Sequence, residues 1–386
     1  MIVAGGTYGE RCHYPHWDQI YGSGLRAAIA LADVSPGTTL HSYVSSVWWD
    51  DVEATLSSLG LKGALQRTDD PPISFAYLHS LDRMGPFPED RQSQKPLEVE
   101  GDVILRFGMI EGNAKVTGDR VVFDPQSSAA AFKLNGSTSR SLVHIATQAE
   151  IIDFARSENR PEREYMTFEQ RLREGVIELK EISPKPTMVL VKDNLGGLSL
   201  YRGDEPDIIP TYAAESYFRI GSGDVIAAAF AHAWGELKMD PVAAADYAAR
   251  CAAFFVEGPR LPLPTPASLD DRKTITQRSE PLRIVGIGDF ELQHLVRATE
   301  NWLQMLGKTG VYRSLDINDE LVEAEDMILV GTQTTRRQIE AIAETIAQPI
   351  VVFWPGVGIS QARDLFPKSI VVDDYATALY HAMRRQ

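Results

Sequence analysis

At 386 residues the chain is longer than the ~100–200 residues usual for one domain, and 44% hydrophobic with 24% charged residues is the composition of a folded globular protein. A formal net charge of −15 excludes broad nucleic-acid binding, which needs a basic face to displace counterions, so anionic ligands must be held by local donors. No run approaches the ~18 apolar residues of a membrane span, the start Met1-Ile2-Val3-Ala4-Gly5-Gly6 lacks the features of a secretion signal, and the two cysteines, Cys12 and Cys251, have no metal-ligand spacing. A cytoplasmic protein with no membrane segment, zinc site or disulfide framework is therefore expected.

The chain opens as a strand, Ile2-Val3-Ala4, running into Gly5-Gly6. In Cys12-His13-Tyr14-Pro15-His16-Trp17-Asp18 the two histidines are spaced i, i+3, but Pro15 interrupts them and metal binding is not expected. Gly22-Ser23-Gly24-Leu25-Arg26-Ala27-Ala28 reads as a glycine-rich turn into a first helix. Strand-like stretches at Ile73 to Leu78, Val103 to Phe107 and Leu142 to Ile145 then alternate with helical patterns at Asp50 to Leu59, Gln148 to Ser157 and Phe168 to Glu181. Met188 to Lys192 is a further strand, ending in the turn Asp193-Asn194-Leu195-Gly196-Gly197.

Gly221-Ser222-Gly223-Asp224 opens a small-residue helix, Val225 to Phe230, and carries the most chemical information. Backbone N–H groups at a helix start are partly positive, and glycines let an anion approach them closely. Asp224 in the first turn would stand beside a bound phosphate, where a carboxylate can take a proton from an attacking hydroxyl. The alternative is a plain loop with an Asp helix cap.

Between Gly258 and Pro281 the proline-rich run and the polar segment after it read as a linker. Beyond it, strands at Arg283 to Val285, Met327 to Val330, Ile350 to Phe353 and Ile370 to Val372 are separated by helix-length segments. A β-α-β-α order on both sides of the linker predicts two α/β domains with parallel sheets, residues 1–265 and 282–386, joined by 266–281.

These pieces resemble the ribokinase-like (PfkB) carbohydrate and nucleoside kinases over roughly residues 1 to 265. Gly221 to Asp224 and its helix are similar to the family's second signature, Asp-Thr-x-Gly-Ala-Gly-Asp; Gly22 to Ala28 is similar to the sugar-binding turn, and Val122-Phe123-Asp124-Pro125-Gln126 to the strand-end Asp-Pro segment. The resemblance implies a ribokinase-like α/β/α sandwich that uses ATP and Mg2+ to phosphorylate a hydroxyl of a small sugar or nucleoside. On it, Asp224 is the general base and the amides of Gly221, Ser222 and Gly223 form the anion hole. Lys192, Asn194, Gly197 and Arg219 border the nucleotide, and Glu10, Gly22, Gly24 and Arg26 border the acceptor. Glu150, in Thr147-Gln148-Ala149-Glu150, stands at the magnesium-organising Glu of an Asn-x-x-Glu motif; a solvated Glu in a first helical turn explains it as well.

Two departures bear on function. Arg26 replaces the usual Asn, and its guanidinium either binds a carboxylate or phosphate on the substrate or is an exposed helix arginine. Phe218-Arg219-Ile220 replaces Asp-Thr-x, removing a carboxylate that in many relatives helps hold a monovalent cation, while Arg219 supplies positive charge directly. Relatives often dimerise through lid strands, so a homodimer is implied, although the lid here reads as reduced.

The segment from Leu282 to Gln386 resembles a degenerate nucleoside 2-deoxyribosyltransferase-type domain, a smaller Rossmann-like (flavodoxin-like) fold, through Gly286-Ile287-Gly288-Asp289-Phe290, Leu321 to Leu329 and Gly331 to Glu340. Active relatives use a carboxylate nucleophile after a Gly-Thr turn. Glu340 is off that spacing and Arg336-Arg337 intrudes, so lost catalysis is expected; Glu323, Glu325 and Asp326 read as a solvated end of an element. Three classes stay open: a kinase, a glycosyl-bond enzyme acting through the C-terminal part with a carboxylate such as Asp289, and a nucleotide-binding regulator without turnover.

Overall fold

The computed structural model describes residues 1–82, 85–89, 92–126, 132–157, 166–182, 187–193, 197–276, 278, 280–287, 290–305, 310–315, 326–330, 334–345, 349–355 and 359–384. In chain order the first part forms β1 (Ile2–Ala4), β2 (Gly9–Tyr14), β3 (Trp17–Ile20), α1 (Gly22–Ala30), β4 (Thr39–Ser45), α2 (Trp49–Ser58), β5 (Lys62–Thr68) and β6 (Ser74–His79). It continues with β7 (Leu97–Phe107), β8 (Ala114–Asp124), β9 (Thr138–Thr147), α3 (Gln148–Ser157), α4 (Phe168–Glu181), β10 (Thr187–Lys192), β11 (Leu198–Tyr201), β12 (Pro206–Ile209), β13 (Thr211–Tyr212), α5 (Ser222–Phe230) and α6 (Pro241–Val256). After them come β14 (Thr274–Ile275), β15 (Leu282–Ile287), α7 (Phe290–Met305), β16 (Gly310–Leu315), β17 (Met327–Val330), α8 (Arg336–Thr345), β18 (Val351–Phe353), α9 (Ile359–Leu365), β19 (Ile370–Val372) and α10 (Tyr375–Ala382).

Nine strands make the main sheet, in the order β12-β11-β10-β9-β8-β7-β1-β4-β5. From β10 to β5 the pairs are parallel; β11 and β12 add an antiparallel edge. In β7, Leu97 and Val99 are buried between exposed Glu98 and Glu100, whereas Val103 to Phe107 is buried throughout. That switch marks where the strand passes from a sheet wetted on one face to one covered by helices on both. Charge at the strand's start and an unbroken apolar run at its end encode the change. α5, all small or apolar after Asp224, packs on α1 and α6 inside the helical layer, and its Ala227, Ala228 and Ala229 permit that close approach.

A separate three-stranded sheet, β3-β2-β6, stands over the C-terminal end of β1. The lid that reads as short in the N-terminal stretch gains its third strand from residues 74–79, which pair in parallel with β2. The second large sheet is five-stranded and parallel, in the order β16-β15-β17-β18-β19. This is the flavodoxin-like 2-1-3-4-5 order.

Residues in the 266–281 segment are docked along the main unit. Thr274 and Ile275 pair with β13, and Arg272 donates to both Glu257 carboxylate oxygens at 3.0 and 2.9 Å and to Ala213 O at 3.0 Å. Among the described residues no helix is long and apolar enough to cross a membrane.

Candidate active site

Everything chemical converges on the N-terminus of α5. Gly221 caps it in a left-handed conformation, φ 82°, which an L side chain adopts only under strain. A Cβ at Gly221 would also overlap the Arg26 guanidinium, so glycine is required twice over. The Ser222 N–H donates to Arg219 O at 3.0 Å and closes the turn, so in this conformation that amide serves the loop and not a ligand. Gly223 follows, and a Cβ on it would come within 3.3 Å of Lys192 Nζ. The Lys192 ammonium thus lies over the helix start, adding a full charge to the amide dipoles there.

Lys192, at the end of β10, donates to Asp124 Oδ2 at 2.6 Å from the end of β8. Asp124 is 0% exposed, and its Oδ1 has no hydrogen-bond partner among the described residues. Burial raises the Asp124 carboxyl to about 7 even though Lys192 draws it down. Burial alone would lower Lys192, but Asp124, Glu150 and Asp224 together raise it. The two directions pull against one another, and Lys192 is the firmer of the pair, since an ammonium facing three carboxylates stays charged at neutral pH.

The other side of α5 is different. Asp224 is 8% exposed, and both its oxygens are engaged: Oδ2 accepts from Arg26 Nη1 at 2.7 Å and Oδ1 from Gln126 Nε2 at 2.8 Å. Gln126 holds a left-handed backbone, φ 69°, immediately after Pro125 to reach it. Arg26 is 1% exposed, not a surface arginine, and also donates to Glu10, whose Oε1 accepts the Gly22 N–H at 3.2 Å. Burial would lower the Arg26 guanidinium, but Glu10 and Asp224 outweigh it and push it up. The result is a buried Glu10–Arg26–Asp224 triad, two carboxylates about one cation.

Gly22 and Gly24 are used for packing. Gly22 has φ +66°, with Gly6 O 2.7 Å from where a Cβ would be, and a Cβ on Gly24 would overlap the Gly5 backbone. They bring the start of α1 against the end of β1, which is how Arg26 reaches Asp224.

Glu150 forms a capping box. Its Oε2 accepts from Thr147 N–H at 2.6 Å and Thr147 Oγ1 at 2.9 Å, while the Glu150 N–H donates to Thr147 Oγ1 at 3.2 Å. Thr147 in place of Asn completes that box. Gly197 closes the turn after β10, its carbonyl accepting the Asp193 N–H at 2.9 Å; Asn194 lies outside the described residues. Phe218 packs against Trp17 of the lid with ring centroids 5.0 Å apart, in an apolar cluster with Cys12 and Ile220. At the position of the expected Asp, this chain packs an apolar side chain under the three-stranded sheet.

A pocket opens beside the α5 start. Thr147, Lys192, Asp193, Arg219, Ser222 and Gly223 give it a polar wall, and Tyr217, Ile226, Ala249, Ala253, Val256 and Tyr380 give it an apolar one. Tyr380 belongs to α10, beyond the linker, and no pattern in the sequence marks it as a site residue.

Of the carboxylates weighed for glycosyl chemistry, two fall among the described residues, and both are held by arginines. Glu340 accepts from Arg336 at 2.8 Å on an exposed helix face, Asp326 is bound by Arg278 and Arg283, and Asp289, Glu323 and Glu325 lie outside the described residues.

No family model matches the sequence, and no curated protein does. In structure the chain is similar to the ribokinase of Cryptococcus neoformans var. grubii serotype A in complex with ADP, at 15% identity and TM-score 0.50 over 70% of this chain and 98% of that one. It is equally similar to a ribokinase of Giardia lamblia, at 15% identity and TM-score 0.50 over the same shares. The fold is ribokinase-like. At that identity the likeness speaks for the architecture of a carbohydrate-kinase fold and leaves chemistry to the residues.

Proposed function

We propose that this chain is a phosphotransferase that moves the terminal phosphoryl group of ATP to a hydroxyl of a small sugar or nucleoside acceptor. The observation that carries the reading is that a buried carboxylate, Asp224, shares the first turn of α5 with a pocket lined by Gly223, Lys192 and Arg219, which we read as an anion cradle. The cradle meets the charge that spreads over the transferred group, and the carboxylate stands where the attacking hydroxyl must lose its proton. The hydroxyl oxygen bonds to the γ-phosphorus as the bridging P–O bond to the β-phosphate breaks; the proton passes to Asp224 and ADP leaves.

The donor set is compatible with Mg2+. Glu150 interacts with the buried Asp124–Lys192 pair behind the pocket, Asp124 Oδ1 has no partner among the described residues, and Mg2+ takes most of its shell from phosphates and water, so one of these carboxylates, once turned toward the pocket, would be protein ligand enough. When bound it neutralises phosphate charge.

For Asp224 to act as base, a hydroxyl must reach it, and since both its oxygens are engaged, by Arg26 at 2.7 Å and Gln126 at 2.8 Å, one of those bonds must give way. An acceptor bearing its own carboxylate or phosphate would draw Arg26 off and free Asp224. Such acidic acceptors belong in the test. Purified protein with ATP, Mg2+ and a panel of neutral and acidic sugars and nucleosides should form ADP, and Asp224→Asn should slow this ~10²–10⁴-fold. An unchanged rate in the variant removes Asp224 from the mechanism. A second reading, nucleotide binding without turnover, is favoured by the closed Glu10–Arg26–Asp224 triad itself. It predicts ATP binding with no ADP from any acceptor.

A further inference from the structure

The last helix of the chain reaches back to the segment that carries the anion cradle. From α10 and the residue pair after it, one helical face at i, i+3, i+4 and i+7 presents Thr377, Tyr380, His381 and Arg384, and each bonds to backbone between residues 212 and 217. Thr377 Oγ1 accepts the Tyr217 N–H at 2.9 Å, and the Tyr380 hydroxyl accepts the Ala214 N–H at 3.0 Å. His381 Nε2 donates to Glu215 O at 2.9 Å and Arg384 Nη1 to Ala214 O at 3.2 Å. The Tyr380 ring stacks on Tyr217, centroids 4.7 Å apart and 5° from parallel. Two residues beyond Tyr217 the chain becomes Arg219, Ile220 and Gly221.

We infer that Tyr380 is a nucleotide-binding residue, so that the C-terminal part completes the donor site of the main sheet's unit. The pocket is two-sided: cations and helix amides on one wall, alanines of α6 with Ile226 and the tyrosine pair on the other. A ligand matching both walls carries phosphates at one end and a flat apolar ring at the other, which is the chemistry of a nucleoside di- or triphosphate. A bare polyphosphate matches only the first wall. Because α10 grips the strand-to-helix segment that holds Arg219 and Gly221, occupancy of the pocket and docking of α10 are linked, and linkage is reciprocal. A purine held against the tyrosine wall stabilises the docked helix, and the docked helix tightens the purine. This rests on the phosphotransferase reading for its donor, but the link between α10 and the pocket does not depend on turnover.

The experiment compares ATP with inorganic tripolyphosphate on the full chain. Calorimetric titration of wild type, Tyr380→Phe and Tyr380→Ala should show ATP affinity kept within about twofold by Phe and lost by roughly tenfold in Ala, the scale of one base–aromatic stack. Tripolyphosphate affinity should change less than about twofold in either. Hydrogen exchange supplies the second readout: ATP, and not tripolyphosphate, should slow exchange of the amides in residues 375–384 of wild type. Equal losses of ATP and tripolyphosphate in Tyr380→Ala, or ATP binding with no added protection of α10, would overturn the assignment. ATP binding and protection with no acceptor turned over would sink the phosphotransferase reading and leave this one standing. Failure of wild type to bind ATP at all removes both.

Discussion

Two buried ion clusters flank the first turn of α5, and they are built to opposite specifications. On one side the cation Lys192 bonds to Asp124, whose Oδ1 has no partner among the described residues and whose carboxyl is already pushed up to about 7. On the other side one cation, Arg26, is shared between Glu10 and Asp224, with no oxygen of Asp224 left over. The first cluster can shed its negative charge and offer a cation to an anion; the second is closed and opens only if something competes for the guanidinium. On the proposed phosphotransferase reading, the first cluster would meet phosphate and the second would keep Asp224 masked until an acceptor arrives.

The largest expected effect tests this asymmetry through stability. Arg26→Met strands two buried carboxylates beside each other, and removing one partner of a buried pair costs about 3–5 kcal/mol. Lys192→Met strands only Asp124, which answers by taking up a proton, so its cost is that of a buried neutral group, about 1–3 kcal/mol. The sign with pH follows: a folded carboxyl raised from 3.8 to about 7 binds protons that the unfolded chain has released, so this group's stabilisation is present at low pH and is lost as pH rises from 3.8 to about 7. Urea melts at pH 5 and pH 8 should show Lys192→Met losing more at pH 8, while Arg26→Met costs more at both. Equal costs for the two variants would erase the contrast.

A second test separates backbone strain from filling of the site. Gly37 and Gly221 both sit in the left-handed region, φ +77° and +82°, but nothing lies within 4 Å of a Cβ at Gly37 whereas one at Gly221 runs into Arg26. Gly37→Ala should cost only the conformational penalty, about 1–2 kcal/mol. Gly221→Ala adds displacement of a close-packed side chain, for roughly 2–5 kcal/mol, and should disturb the triad as well. If thermal melts place both variants at the same loss, Arg26 is not packed where the triad requires it.

Local signals were legible and long-range ones were not, for a physical reason. The predicted spans for α3 and α4 coincide with the helices because periodicity and Thr caps are encoded within a few residues. The Gly-Ser-Gly-Asp helix start and the strands β1, β10, β15, β17, β18 and β19 were readable on the same terms, whereas β4, β5, β11, β12 and β16 were not assigned. Arg26 and Asp224 are 198 residues apart, Gln126 and Asp224 98, and Asp124 and Lys192 68; whether a charge is solvated or locked to a partner depends on topology that no local window holds. The strand at Ile73 to Leu78 was legible, but its pairing with β2, like the Tyr380 wall, escaped for the same cause. Phe218 was legible as a departure, but its packing under Trp17 needed the three-stranded sheet to be in place.

The smallest effect probes the Asp124–Lys192 cluster alone. If Asp124 gives up its charge near pH 7, the field over the α5 start becomes more positive as pH falls, and a bound anion gains. Unit charges about 6 Å apart in a water-like dielectric interact by ~0.7 kcal/mol, roughly threefold in affinity. Sulfate, whose own charge is constant over this range, should bind about threefold tighter at pH 6 than at pH 8 in wild type and equally at both in Asp124→Asn. Arg26 should contribute nothing to that slope, since Glu10 and Asp224 push its guanidinium up and keep it charged throughout. A pH dependence that persists in Asp124→Asn would mean the proton is taken up elsewhere, and the Asp124–Lys192 cluster would then be as fixed in charge as the Arg26 cluster beside it.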